Sequence, residues 1–161
     1  MNGLWQWLWL LVKAVDKFYS AAAFRYQPQR LTGRWNSPAR PAIYGALSYA
    51  CSMLEILVHA NIGRIPRTHG YVVADVPKNL PVERHVSMSL PPAWDGDSPS
   101  IARRFGDHWL NEHRSLVLVV PSVAAKLEGT AVVNPQHPSA VALLVSQSQI
   151  VIWDQRLFDC K

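Results

Sequence analysis

The chemistry-bearing residue of this chain is Glu55, carried in YGALSYACSMLEILVHAN at positions 44–61. Read as a helix, that segment places Ser48, Ser52, Glu55 and His59 within about 60° of one another at the 3.6-residue period. Leu47, Cys51, Leu54, Leu57 and Val58 fall on one flank, and Tyr49, Met53 and Ile56 on the other. One reading turns the stripe to water. The other opens it into a cleft between buried flanks, where a carboxylate becomes chemically useful. A single acid among hydroxyls suits the stabilisation of a cation better than the two-carboxylate scheme of glycosidases.

A second constellation lies in GRWNSPARPAIY at 33–44, where Arg34, Trp35, Asn36 and Tyr44 surround proline turns that an ordinary surface loop would not need to combine with an aromatic and an amide. Ser122 follows an apolar run and reads either as a turn or cap residue or as a hydroxyl emerging at a sheet edge; it lies in no nucleophile elbow. Asn134 and His137, in NPQHP, read as a rigid turn. No metal site is expected, because His108 and His113 are five apart and the chain lacks H-E-x-x-H and C-x-x-C pairs.

The 161 residues suit a single domain, 1–161. Sixteen Lys and Arg against eleven Asp and Glu leave a net charge of +5, which favours an anionic ligand without naming it. The basic residues are scattered, so no direct nucleic-acid binding is expected. Cys51 and Cys160 are the two cysteines and imply no disulfide framework, making a reducing, cytoplasmic setting the default. LWQWLWLLV at 4–12 is interrupted by Lys13, Asp16 and Lys17 before it reaches the length of a bilayer span, which is about 20 residues. It reads as a first core element, with a membrane-surface role for the tryptophans as the rival.

Further along, 70–76 and 82–90 read as strands, 90–100 as a loop, and 100–113 as an amphipathic helix weakened at Gly106. The segment 115–122 reads as a buried strand, with 129–135 and 149–154 as two more. Asn61 and Gly63 should stop the 44–61 helix. Helices and strands mix without βαβ alternation, so the class is α+β.

In order, GRWN…Y…LEILVH…FGDHWL…VPS…VNPQHP…DQRLF resembles the RES domain family, over roughly residues 13–158, with 1–12 as a Trp-rich leading segment. The resemblance implies an ADP-ribosyltransferase-like fold of mixed, largely antiparallel sheets with flanking helices. It implies a bacterial toxin that cleaves the nicotinamide–ribose bond of NAD+, with NAD+ as substrate and no permanently bound cofactor. The ADP-ribose would pass to water, phosphate or a protein. Catalytic positions fall on Arg34, Tyr44, Glu55 and Ser122, and NAD+ contacts on Arg34, Trp35, Asn36, Tyr44 and Asn134. An Xre-family antitoxin is the implied partner, no membrane is, and homo-oligomerisation stays open. Many relatives carry a first-strand Arg where this chain has Leu10, with Arg25 or Arg30 as substitutes; a catalytically degenerate nucleotide- or antitoxin-binding module is the alternative.

Overall fold

A computed structural model describes residues 6–13, 32–59 and 69–158. Eight strands among these residues form one sheet. They are β1 (Gln6–Lys13), β2 (Ile43–Ala46), β3 (His69–Val76), β4 (Val82–Arg84), β5 (Val117–Pro121), β6 (Gly129–Val133), β7 (Leu144–Val145) and β8 (Gln149–Ile150). The order is β4-β5-β6-β2-β1-β3-β7, with β8 also pairing β3. All pairs are antiparallel except β4 with β5. Two α-helices lie among the described residues, α1 (Tyr49–His59) and α2 (Ser100–Glu112). This is the expected α+β class.

The apolar run of β5 is explained by burial on both faces. Leu118 and Val120 join Trp35, Trp94, Ala102, Trp109, Leu110 and Val132 on the α2 side. Val117 and Val119 join Val72, Ala74, Val76, Ala131 and Val133 on the other. β1 lies inside the sheet, between β2 and β3, so the apolar start is a sheet strand from Gln6 onward; the preceding residues lie outside the described ones. No helix among the described residues is long and apolar enough to cross a membrane.

Three boundaries differ from expectation. Residues 44–46 belong to β2 rather than to the helix, which begins only after Ser48 accepts a hydrogen bond from the Cys51 amide at 3.2 Å. The proposed stop at Asn61 and Gly63 lies outside the described residues. The segment 82–90 keeps strand geometry only to Arg84, because Ser89 folds its hydroxyl back onto the Val86 carbonyl and amide in a short 3-10 turn. In 149–154, only Gln149–Ile150 pairs with β3, and Asp154 instead caps the turn at Gln155–Leu157.

One feature of β3 is a source of pH dependence. Asp75 Oδ1 is buried without a hydrogen-bond partner, and burial pushes the carboxyl above its ordinary value. The folded state therefore holds this proton more tightly than the unfolded state. The associated stability is full below the unfolded value, near pH 4, and declines as pH rises through the folded value. Asp75→Asn is expected to raise the melting temperature at neutral pH and flatten its decline above the acid range, as read by thermal denaturation across that interval.

Candidate functional site

The site is assembled on the α2 face of the sheet. Tyr44 stands opposite Val132 and Ala46 opposite Thr130 in the β2–β6 ladder, so Tyr44 and Thr130 are diagonal neighbours on one face, with Cβ atoms about 7 Å apart. Val120 pairs with Thr130, and Ser122 follows two residues later on the same side. Glu55 reaches this face from α1. Its Oε1 accepts hydrogen bonds from Ser122 Oγ at 2.8 Å and from Thr130 Oγ1 at 3.4 Å.

Ser122 is fully buried and also accepts from the Ala125 amide at 3.1 Å, so its hydroxyl is oriented toward Glu55. Ser122 is thus a turn residue whose hydroxyl also meets Glu55. Behind it lies the buried thiol of Cys51, pushed up by desolvation against the opposing hydrogen bond with Ser122. Ser48 donates to Glu128 Oε2 at 3.0 Å, bringing a second carboxylate to the margin of the cluster.

The polar stripe of α1 is partly open: Ser48 and Glu55 keep part of their surface accessible, and the apolar flanks are not both buried. Ser52 is buried, while Leu54 and Val58 are 37% and 55% exposed. Glu55 meets Ser122 and Thr130 and Ser48 meets Glu128, while part of the helix's apolar surface is left outside.

The loop at 33–36 is held by Tyr44 and Asn36. The Tyr44 hydroxyl donates to Asn36 Oδ1 at 2.6 Å and accepts from the Trp35 amide at 2.9 Å. Asn36 also accepts from the Gly33 amide and donates to the Arg40 carbonyl, each at 2.8 Å. Desolvation raises the Tyr44 phenol well above its ordinary value, against the opposing hydrogen bond from Trp35, so the hydroxyl keeps its proton. Tyr44→Phe leaves the Trp35 amide and the Asn36 oxygen short of a partner. It is expected to destabilise the fold by about 1–3 kcal/mol in urea denaturation.

Arg34 Nη1 donates to the carbonyls of Trp94 and Gly96 at 3.2 and 2.8 Å. Trp35 stacks on Trp94 at 5.7 Å and meets Phe105 edge-on at 6.0 Å. Trp35 and Asn36, the expected NAD+ contacts, are 2% and 0% exposed and hold the loop together. Asn134 is likewise buried. It donates to the Leu110 carbonyl at 3.1 Å and accepts from the Gln136 amide at 3.0 Å, four residues along β6 from Thr130 and away from Glu55.

The structure thus brings Glu55, Ser122 and Tyr44 to one face, with Arg34 joined to Tyr44 through the loop. Thr130, Glu128, Lys126 and Asp95 also surround this region and gave no sequence signal, because no local motif marks a residue that converges only through tertiary pairing. Leu10 sits in β1 opposite Val72 in the ladder, and Arg25 and Arg30 lie outside the described residues. Among the described residues, no three His, Cys, Asp or Glu side chains converge to hold a metal ion.

Comparison with known proteins adds an independent line. The chain is 31% identical over 128 residues to a Sphingobium sp. (strain YBL2) protein named Prs ADP-ribosylating toxin, covering 78% of this chain and 80% of the relative. It is 32% identical over 131 residues to a Toxin Res of Pseudomonas putida, covering 80% and 88%. A Toxin Res of Yersinia enterocolitica is 30% identical over 152 residues, covering 92% and 99%. The fold is similar to a chain in the crystal structure of the M. tuberculosis MbcT–MbcA toxin–antitoxin complex, with a TM-score of 0.63, 22% identity and coverage of 92% and 85%. The RES domain family pattern matches residues 8–154, nearly the whole chain, and by that match this protein belongs to the RES domain family.

Proposed function

We propose that this protein is the toxin of a toxin–antitoxin pair and that it acts by cleaving the nicotinamide–ribose bond of NAD+. The observation that carries the reading is the 2.8 Å hydrogen bond from buried Ser122 to Glu55, set beside Tyr44 on one sheet face. As nicotinamide departs, the C1′ carbon of the ribose becomes cationic, and a carboxylate held in place beforehand stabilises it without reorganising. Ser122 and Thr130 supply that preorganisation by sharing Oε1. Tyr44 supplies an aromatic wall for the nicotinamide, and Arg34 a permanent charge for the diphosphate.

The names of the relatives support toxin activity and an enzymatic mode of action, and one names ADP-ribosylation. ADP-ribose transfer to a protein side chain fits that relative; water and phosphate are the rival acceptors at C1′. The partner in this reading is an antitoxin of the Xre class, and the setting is the cytoplasm.

The test is nicotinamide release from NAD+ by protein purified free of any partner. Release supports the reading. Tight NAD+ binding by folded protein without release would replace it with the degenerate nucleotide-binding module, in which Leu10 stands where the family resemblance implies an Arg.

A further inference from the structure

The loop at 93–98 is gripped from two sides by cations that belong to different parts of the chain. Arg34 Nη1 takes the carbonyls on either side of Asp95, those of Trp94 and Gly96. Lys126 Nζ, from the β5–β6 turn, lies 2.5 Å from Asp95 Oδ2. Two positive side chains therefore converge on a three-residue stretch whose one acid is exposed enough to leave.

We propose that Arg34 and Lys126 form a two-cation cradle for a diphosphate group, and that Asp95 is the internal anion occupying it until a ligand arrives. This rests on the NAD+ reading above and adds Lys126 and Asp95 to it.

Three observations support the cradle. The first is proximity to the chemistry. The amide preceding Lys126, that of Ala125, touches Ser122 Oγ at 3.1 Å, and Ser122 touches Glu55 at 2.8 Å. A dinucleotide with its C1′ carbon at Glu55 has its first phosphate only a few bonds away, past the ribose 5′ carbon and oxygen, in the neighbourhood from which Lys126 projects. The second is electrostatic. The Asp95 carboxyl is held below its usual range chiefly by the Lys126 hydrogen bond, and Arg34 pushes it the same way, so both cations act on one anion. The third is exchangeability. Lys126 and Asp95 side chains are 66% and 34% exposed, and an exposed pair of this kind adds little to stability. A diphosphate, with two negative charges and a fork of oxygens, matches an Arg and Lys pair better than one carboxylate does.

The cradle makes a prediction that a merely structural salt bridge does not. Its two partners act in opposite directions: Lys126 attracts the diphosphate and Asp95 competes with it. Inorganic pyrophosphate binding to the full chain, measured by calorimetry at low ionic strength, is the first readout, and KM for NAD+ is the second. Lys126→Ala is expected to weaken pyrophosphate and raise KM about tenfold, with the effect in KM and not in kcat. Asp95→Asn is expected to tighten pyrophosphate and lower KM about threefold.

If both substitutions weaken binding together and both lower the melting temperature, the bridge is a structural brace and the cradle is overturned. Absence of pyrophosphate binding by the wild-type chain overturns it as well. Because pyrophosphate binding needs no turnover, a protein that binds pyrophosphate with this opposed pattern yet releases no nicotinamide would keep the cradle and remove the catalytic reading. Release without the opposed pattern would do the reverse.

Discussion

Glu55→Gln is expected to lower nicotinamide release about 10²–10³-fold, leaving KM for NAD+ and the melting temperature close to those of the parent. The substitution is chosen for what it keeps. A glutamine side-chain carbonyl still accepts from Ser122 and Thr130, so the two hydroxyls stay satisfied and the packing of α1 on the sheet is undisturbed. What disappears is the negative charge that the proposed reaction sets opposite the developing ribose cation. An effect confined to kcat identifies transition-state stabilisation; a rise in KM alone would mean that Glu55 serves ground-state binding. Glu55→Gln with full activity would remove Glu55 from the chemistry.

Gly106→Ala carries the largest expected effect on stability, and its sign opposes helix propensity. In a helix interior, Ala is favoured over Gly by about 1 kcal/mol, which is why Gly106 reads as a weak point of α2 in the sequence. In the folded protein, a Cβ there would sit 1.9 Å from the carbonyl oxygen of Trp35 and 2.7 Å from its carbon. Both are backbone atoms and cannot swing aside. Helix and loop must separate, and the shift disturbs the Trp35 contacts with Trp94 and Phe105. The net loss is expected to be about 2–3 kcal/mol in urea denaturation, with weaker NAD+ binding because Arg34 rides on the same loop. A Gly106→Ala protein more stable than its parent would show that the loop yields and that the close approach is not required.

Gly106 illustrates where sequence reading stops. The pattern of α2 was legible because its apolar residues repeat at helical spacing, and β5 was legible because a strand buried on both faces is apolar at every position. The pairing of Glu55 with Ser122 was legible only through family resemblance, since 67 residues separate them. Tyr44 was misplaced in a helix because Ile43–Ala46 is too short and too apolar to betray period two before the true helix begins. Trp35 and Asn36 stand out in the sequence, and the structure gives both a place in the packing of the loop. A buried ring and a satisfied amide look the same in sequence as a ligand contact, and only their burial separates the two. Lys126 and Asp95 carried no signal, since a charge pair formed across 31 residues leaves no periodic trace.

The dispersal of the site along the chain has a consequence for synthesis. Glu55 needs Ser122 and Thr130, and Arg34 needs the carbonyls at Trp94 and Gly96, so its hydrogen bonds span 60 to 75 residues. β6, which carries Thr130, lies between β5 and β2 and cannot pair until the residues through Val133 have left the ribosome. A nascent chain that has not yet released β6 therefore lacks the assembled cluster around Glu55. On the proposed reading, an antitoxin made at the same time would meet the protein as its site first forms.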